Sequence, residues 1–177
     1  MADPAGRVRW YTADPRAILE LDDLHVPQSL RKTIKRGIYE IRVNTSFRRV
    51  MQGCAARSRT WISRSIIDAY SALHERGWAH SVEAWRDGAL QGGLYGLAMG
   101  GAFFGESMFA AAPDASKVCV VALVERLRAR GYVLLDCQEL TNHMARFGAT
   151  LIPAEVYLRR LRAALRMPGG FSDDGGH

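Results

Sequence analysis

Residues 79–106 read AHSVEAWRDGALQGGLYGLAMGGAFFGE and predict three antiparallel strands joined by tight turns. Apolar and polar residues alternate before Asp87-Gly88, as in a strand with one buried face, and this dipeptide is a strong hairpin signal. A glycine-rich return strand follows from Leu90 to Ala98, and Gly100-Gly101 turns the chain again. These residues therefore predict half of a sheet.

The rest of the chain predicts helices alternating with further strands. After the three strands we expect a buried helix from Ala115 to Arg130, because its middle is apolar almost all round. The later elements are a central strand (Tyr132 to Gln138), a short helix (Thr141 to Phe147), a strand (Ala149 to Ile152) and a helix from Pro153 through Arg166. The order predicts a single α/β domain (α+β) with one mixed sheet.

Five elements are expected before the hairpins. They are a short strand or turn (Ala17 to Leu21), a basic helix from Pro27 to Gly37 with Leu30 and Ile34 on one face, a strand (Ile38 to Val43), a second basic helix after Ser46, and a helix introduced by Thr60 and Trp61 that ends at Gly77.

The excess of positive over negative charge lies entirely in the first third of the chain. Residues 1–60 hold 12 Lys and Arg against 6 Asp and Glu, whereas residues 61–177 hold 12 of each, and the net charge is +6. One interpretation is a solvated basic face; the other is a polyanion site. In the second case Arg31, Lys32, Lys35 and Arg36 of the first basic helix would contact phosphates without reading base sequence.

Several classes of protein are disfavoured. Asp3, Arg7 and Arg9 interrupt any signal-like apolar run, and the best apolar run, Val118 to Val124, is far shorter than the ~20 residues that span a bilayer. The three cysteines are widely spaced and show no metal-binding pattern. We expect a cytoplasmic protein with no metal and no membrane association.

Glu106 is an unusual carboxylate because it lies among Phe103, Phe104, Met108 and Phe109. Burying an unpaired carboxylate costs roughly several kcal/mol of folding free energy. Either an internal cation therefore neutralises Glu106, or the site takes a cationic ligand.

Asp136 and Gln138 form a second polar group, at the end of the predicted central strand. They are two residues apart and are expected on one face. They are either a structural hydrogen-bonded pair or part of a ligand site, in which Asp136 would accept a hydrogen bond from the Gln138 side-chain amide and orient it.

Eight motifs stand in order along residues 10–138. They are Trp10-Tyr11-x-x-Asp14-Pro15-Arg16, Gly53-Cys54-Ala55, Thr60-Trp61-Ile62, His80-Ser81-Val82-Glu83, Gly92-Gly93-Leu94-Tyr95-Gly96, Gly105-Glu106-Ser107-Met108-Phe109, Ala115-Ser116-Lys117 and Leu135-Asp136-Cys137-Gln138. Over about residues 10–158 the chain resembles the leucyl/phenylalanyl-tRNA protein transferase family. The resemblance implies a fold similar to the acetyltransferase superfamily and a reaction without cofactor. Leucine or phenylalanine would pass from aminoacyl-tRNA to the α-amino group of a protein beginning with Arg or Lys, creating an N-end-rule degradation signal.

The resemblance also implies roles for individual residues. Gln138, oriented by Asp136, would act as general base or relay, and Glu106 would meet the basic side chain of the acceptor or orient its amine. The donor side chain would occupy an apolar pocket of Leu94, Phe103, Met108, Val120, Leu123, Leu127 and Leu135, each of which has core packing as its alternative. Trp61 and Tyr70 would stack on the terminal adenine or else pack in the core, and Gly105 and Ser107 complete the predicted substrate site.

The predicted domain layout is a disordered terminus (1–9), a basic part packed on the main domain (10–60), an acetyltransferase-like catalytic domain (61–168) and a disordered tail (169–177). Typical family members carry a longer N-terminal segment. Its absence leaves one alternative open, and the expected acetyltransferase-like fold leaves a second. One is a tRNA-binding homologue with lost or altered transfer activity. The other is an acyl-CoA N-acetyltransferase, whose pyrophosphate-binding turn Arg128 to Val133 matches only in part. We expect a monomer.

Overall fold

The computed structural model describes residues 14–57 and 60–172, and these form one layered α/β unit. A seven-stranded sheet has the order β2-β3-β4-β5-β6-β1-β7. Its strands are β1 (Arg16–Leu19), β2 (Glu40–Val43), β3 (Ala79–Arg86), β4 (Ala89–Met99), β5 (Ala102–Ala110), β6 (Leu134–Gln138) and β7 (Thr150–Ile152). The helices are α1 (Gln28–Lys35), α2 (Phe47–Ala55), α3 (Arg64–Glu75), α4 (Ala115–Ala129), α5 (Asn142–Ala145) and α6 (Ala154–Ala164), with a short 3-10 helix at Leu21–Asp23. The predicted single domain with a mixed sheet is confirmed.

The three predicted antiparallel strands are present as β3, β4 and β5. Asp87 and Gly88 both have positive φ, 53° and 73°, which is the geometry of a two-residue hairpin turn. The return to β6 is made through α4, and β6 lies parallel to β5. Local turn residues therefore set this half of the sheet, as the sequence predicted.

The two faces of the sheet are covered by different helices. Leu94 packs with α4, whereas the next residue, Tyr95, packs with α2 and α3, because successive side chains of a strand point to opposite faces. On the second face α6 forms a separate apolar cluster with β1 and β6, which includes Ile18 and Leu134. The face opposite α4 is therefore covered by the pair α2 and α3 at one place and by α6 at another.

The helix α2 approaches β5 closely at Gly53. A β-carbon at this position would lie 2.7 Å from the ring of Phe109, a separation too short for any side chain. The predicted motif Gly53-Cys54-Ala55 thus has a packing reason, and it places α2 directly over the second half of β5.

Three predicted boundaries are wrong. The helix introduced by Thr60 and Trp61 begins instead at Arg64, because the Ser63 hydroxyl accepts the Ile66 N–H and caps it. The strand expected from Tyr132 begins at Leu134, since the Tyr132 N–H still bonds to the carbonyl of Leu127 at the end of α4.

The predicted tail is the third case. Phe171 is 3% exposed and stacks on Phe103 at 5.2 Å and on His80 at 4.4 Å between ring centroids. Residues 169–172 are therefore packed on the domain, where the prediction had a disordered tail from 169. Residues 173–177, the predicted disordered residues 1–9 and the Trp10-Tyr11 pair lie outside the described residues.

Candidate active site

The parallel strands β5 and β6 separate at the centre of the sheet. They pair only from Ala102 to Phe104 on β5 and from Leu134 to Asp136 on β6, although both strands continue further. Beyond this point β6 remains paired with β1, and β5 remains paired with β4. The ladder between β5 and β6 therefore ends at Phe104 and Asp136, and we call the region between the two strands beyond this point the β5–β6 gap.

Glu106 occupies a β-bulge at this gap. Gly105 pairs with Gly96 and Ser107 pairs with Tyr95, so Glu106 is an extra residue with no partner on β4. A bulge bends its strand and redirects the side chain of the extra residue. The Glu106 carboxylate is consequently in hydrogen-bonding contact with the side chains of Gln138 on β6 and Tyr70 on α3.

Glu106 has no ion-pair partner among the residues that the structure describes. Within residues 14–57 and 60–172 no Lys, Arg or His forms an ion pair with it. Burial raises the pKa of Glu106, and the negative charge of Asp136 raises it further. Hydrogen bonding to Gln138 and Tyr70 and the positive charge of Arg16 lower this pKa, but burial is the largest effect. A cation that entered the gap would reverse this shift.

Asp136 is completely buried, and its carboxylate accepts hydrogen bonds from three residues. The Arg16 guanidinium donates from Nη2 to Oδ2 at 2.7 Å and from Nε to Oδ1 at 3.0 Å. The Tyr157 hydroxyl donates to Oδ2 at 2.6 Å, and the backbone N–H of Gln138 donates to Oδ1 at 2.8 Å. The carboxylate is thus fully occupied by protein groups.

Gln138 adopts a left-handed backbone conformation, with φ of 65°, at the last residue of β6. Its side-chain Nε2 donates to the carbonyl of Gly105 at 3.2 Å across the β5–β6 gap. The predicted hydrogen bond from the Gln138 side-chain amide to Asp136 is therefore wrong, because Asp136 holds the backbone of Gln138 and leaves its side chain to β5.

Similar proteins identify the family of this chain. A family model described as leucyl/phenylalanyl-tRNA protein transferase matches residues 18–162. A leucyl/phenylalanyl-tRNA protein transferase of Rubrobacter xylanophilus is 58% identical over 97% of this chain and 91% of the relative. Another, of Herpetosiphon aurantiacus, is 54% identical over 96% of this chain and 89% of the relative. This chain belongs to the leucyl/phenylalanyl-tRNA protein transferase family.

Membership confirms the predicted enzyme class, an aminoacyltransferase that uses aminoacyl-tRNA. Relatives differ in length: the match spans 71% of a Myxococcus xanthus transferase that is 52% identical. Among solved structures, a Bacteroides thetaiotaomicron protein of unknown function (TM-score 0.52) and L-PGS from Bacillus licheniformis (TM-score 0.50) are each 13% identical. They cover 76% and 87% of this chain, over 55% and 53% of their own, and share its fold alone.

Most residues predicted for the donor pocket of this transferase lie in the core beneath α4. Each is at most 4% exposed: Leu94, Phe103, Val120, Leu123, Leu127 and Leu135. Met108 is partly buried against the same cluster, and so is Cys137, which sequence reasoning did not single out. These two residues follow the point where the strands separate, so they flank the β5–β6 gap on the α4 side.

The two aromatic residues predicted to stack on adenine lie in the α2–α3 cluster. Tyr70 makes an edge contact with Tyr95, with ring centroids 5.5 Å apart, and its hydroxyl reaches Glu106. Trp61 lies before α3 and is partly buried. Tyr70 therefore has a polar role beside Glu106 that its helical spacing did not reveal.

Two residues that were not predicted for the site, Arg16 and Tyr157, contact Asp136. Arg16 stands in the quoted Asp14-Pro15-Arg16 motif, which was the available signal. Tyr157 lies on α6 and carried no signal beyond helical periodicity.

The four basic residues predicted to bind tRNA are all exposed on α1 and its end. Across the described ranges Arg31, Lys32, Lys35 and Arg36 form no ion pair, whereas Arg48 pairs with Asp68 at 2.6 Å. Leu30 is buried and anchors the helix, whereas Ile34, predicted on the same face, is 42% exposed. The helix therefore presents its charges to solvent.

Neither a spanning helix nor a metal cluster is found in the part of the chain that the structure describes. No helix there is long and apolar enough to cross a membrane. No group of three or more His, Cys, Asp or Glu side chains within it is placed to hold a metal ion.

Proposed function

We propose that this chain transfers leucine or phenylalanine from aminoacyl-tRNA to the α-amino group of proteins beginning with Arg or Lys, which marks them for N-end-rule degradation. The observation that carries this proposal is Glu106, a carboxylate at the β5–β6 gap whose contacts, Gln138 and Tyr70, are both uncharged. An acceptor with a basic first residue brings two positive charges, its side chain and its α-ammonium, to this carboxylate.

The reaction needs a deprotonated amine and two aligned substrates. An α-ammonium has a pKa near ~8, so an appreciable fraction of the amine is free near neutral pH. The amine attacks the ester carbonyl of the aminoacyl-tRNA, the bond from this carbonyl to the ribose oxygen breaks, and the proton lost by the amine passes to that oxygen, which leaves as the ribose hydroxyl. Positioning of both substrates supplies most of the acceleration.

Gln138 and Glu106 have different roles toward the amine of the acceptor. Because Gln138 Nε2 is held by Gly105, its amide oxygen is left to accept a hydrogen bond from the attacking amine. Burial raises the pKa of Glu106, and a cation bound beside this carboxylate would stabilise its charged form. Gln138 therefore orients the amine and relays its proton, and Glu106 binds the positive charge of the acceptor.

The donor side chain fits the other wall of the gap. Met108 and Cys137 flank the opening, with the apolar residues of α4 beneath them. Burial raises the pKa of the Cys137 thiol to about 12, so it remains neutral and packs as a small apolar group. An adaptable methionine beside a small thiol suits either leucine or phenylalanine.

The basic face of α1 provides the tRNA contact in this proposal. Arg31, Lys32, Lys35 and Arg36 are unpaired among the described residues and would neutralise backbone phosphates. The protein would act as a monomer in the cytoplasm, where charged tRNA and nascent proteins are present.

The experiment is a transfer assay with purified protein, leucyl-tRNA and a peptide that begins with Arg, followed by mass spectrometry of the peptide. The proposal expects a peptide lengthened by one leucine. Binding of the charged tRNA without transfer would instead support the tRNA-binding alternative. A parallel reaction with acetyl-CoA tests the acetyltransferase alternative. The structure does not favour this alternative, because Gly131 of the compared turn follows the end of α4 and does not precede a helix.

A further inference from the structure

Asp136 is the centre of a buried network that links three distant parts of the chain. Arg16 comes from β1, Tyr157 from α6, and Gln138 follows on the same strand as Asp136. Arg16 is 120 residues away in sequence, and its side chain is only 18% exposed. A bidentate guanidinium and a phenol therefore converge on one carboxylate that substrate cannot reach.

The network acts on the backbone of Gln138. A left-handed conformation is uncommon for a residue with a side chain, and the surrounding structure must impose it. The hydrogen bond of 2.8 Å from the Gln138 N–H to Asp136 Oδ1 provides this constraint. With Oδ2 held by Tyr157 at 2.6 Å and by Arg16 at 2.7 Å, Asp136 has no freedom to release the N–H.

We propose that Arg16 and Tyr157 are positioning residues for transfer, which act through Asp136 to fix the left-handed turn at Gln138. This turn directs the Gln138 side chain across the β5–β6 gap, where it bonds to Gly105 and contacts Glu106. Neither Arg16 nor Tyr157 contacts the substrate in this scheme. The kinetic test of this inference rests on the proposed function, whereas the hydrogen-exchange test does not.

The arrangement of α6 agrees with this role. The N–H of Ala154, the first residue of α6, donates to Asp14 Oδ1 at 3.1 Å. The Arg16 guanidinium lies 5.1 Å from the centroid of the Tyr157 ring. These contacts tie α6 to the start of β1, so the phenol and the guanidinium reach Asp136 together.

The kinetic test is a double-mutant cycle between Tyr157→Phe and Gln138→Ala in the transfer assay. Tyr157→Phe removes only the hydroxyl and with it one hydrogen bond to a charged acceptor, so kcat should fall about tenfold with KM for aminoacyl-tRNA unchanged. In the Gln138→Ala background the same change should have no further effect, because the two residues act as one unit.

The matched control is Tyr132→Phe, a buried tyrosine at the end of α4 that should keep the wild-type rate. Arg16→Lys is the second variant, since lysine keeps the charge but loses the bidentate geometry, and it should also lower kcat. Independent, multiplying effects of Tyr157→Phe and Gln138→Ala would overturn the proposal, as would equal losses in both tyrosine variants.

A second measurement does not depend on activity. Hydrogen exchange of the Gln138 backbone amide, followed by NMR, should accelerate at least tenfold in Tyr157→Phe and stay unchanged in Tyr132→Phe. If the wild-type protein transfers no leucine, the proposed function fails, while this exchange experiment still tests the network. An unchanged Gln138 exchange rate would overturn the positioning role.

Discussion

Replacement of Glu106 by glutamine tests whether this carboxylate recognises the acceptor. The change removes the charge and keeps the shape and an oxygen for the Tyr70 hydroxyl. Two unit charges 4 Å apart interact by about 4 kcal/mol at an effective dielectric constant of 20. Desolvation of both partners reduces the net contribution, and a hydrogen bond to a charged group contributes about 1.5–3 kcal/mol.

This estimate predicts a fall of roughly 10–100-fold in kcat/KM for a peptide that begins with Arg. The Kd for aminoacyl-tRNA should not change, because the basic helix α1 is untouched. The assay compares two peptides that differ only in a first residue of Arg or Met, and the preference for Arg should shrink in Glu106→Gln. Glu155→Gln, an exposed carboxylate on α6, is the control.

The reasoning is refuted if Glu106→Gln lowers transfer to both peptides by the same factor. This result would mean that Glu106 takes a proton or maintains the gap but does not select the acceptor. A preserved ratio with a preserved rate would remove Glu106 from the site altogether.

Three further predictions concern other parts of the protein. Neutralising Lys35 and Arg36 together should weaken tRNA binding and reduce the slope of log K against log salt concentration by about 2, measured by filter binding; an unchanged slope would mean a merely solvated face. His80 is buried, and this burial lowers its pKa to about 4. The free energy of unfolding should therefore fall as pH drops from 6.5 towards 4, because the unfolded state binds the proton first. Chemical denaturation of the wild type and of His80→Gln at several pH values measures this fall, and an equal pH dependence in both proteins would contradict the prediction. Phe171→Ala should cost about 3–5 kcal/mol in unfolding free energy as a core truncation, whereas a disordered tail would make it neutral.

Short-range signals in the sequence predicted most of the fold. Asp87-Gly88 and Gly100 fix their turns through their own backbone preferences, so β3, β4 and β5 followed from local residues. Glu106 was recognisable for a similar reason, because its apolar neighbours are adjacent in the chain. Among the described residues no internal cation pairs with Glu106, which agrees with a site that takes a cationic ligand.

Long-range packing decided what could not be predicted. Arg16 is 120 residues from Asp136, and no local pattern indicates that the two meet. The tail was expected to be disordered because chain termini commonly are, yet the Phe171 ring packs against His80 and Phe103. The bulge at Glu106 depends on the register between β4 and β5, which composition does not specify.

A structure of the protein with both substrates would show whether Glu106 receives the first residue of the acceptor. The donor would be an unreactive, amide-linked leucyl-adenosine and the acceptor a short peptide that begins with Arg. We expect the peptide amine and the donor carbonyl together in the β5–β6 gap, with the peptide guanidinium against Glu106 and the amine at the Gln138 amide oxygen. A peptide bound elsewhere, or with its first side chain away from Glu106, would contradict it.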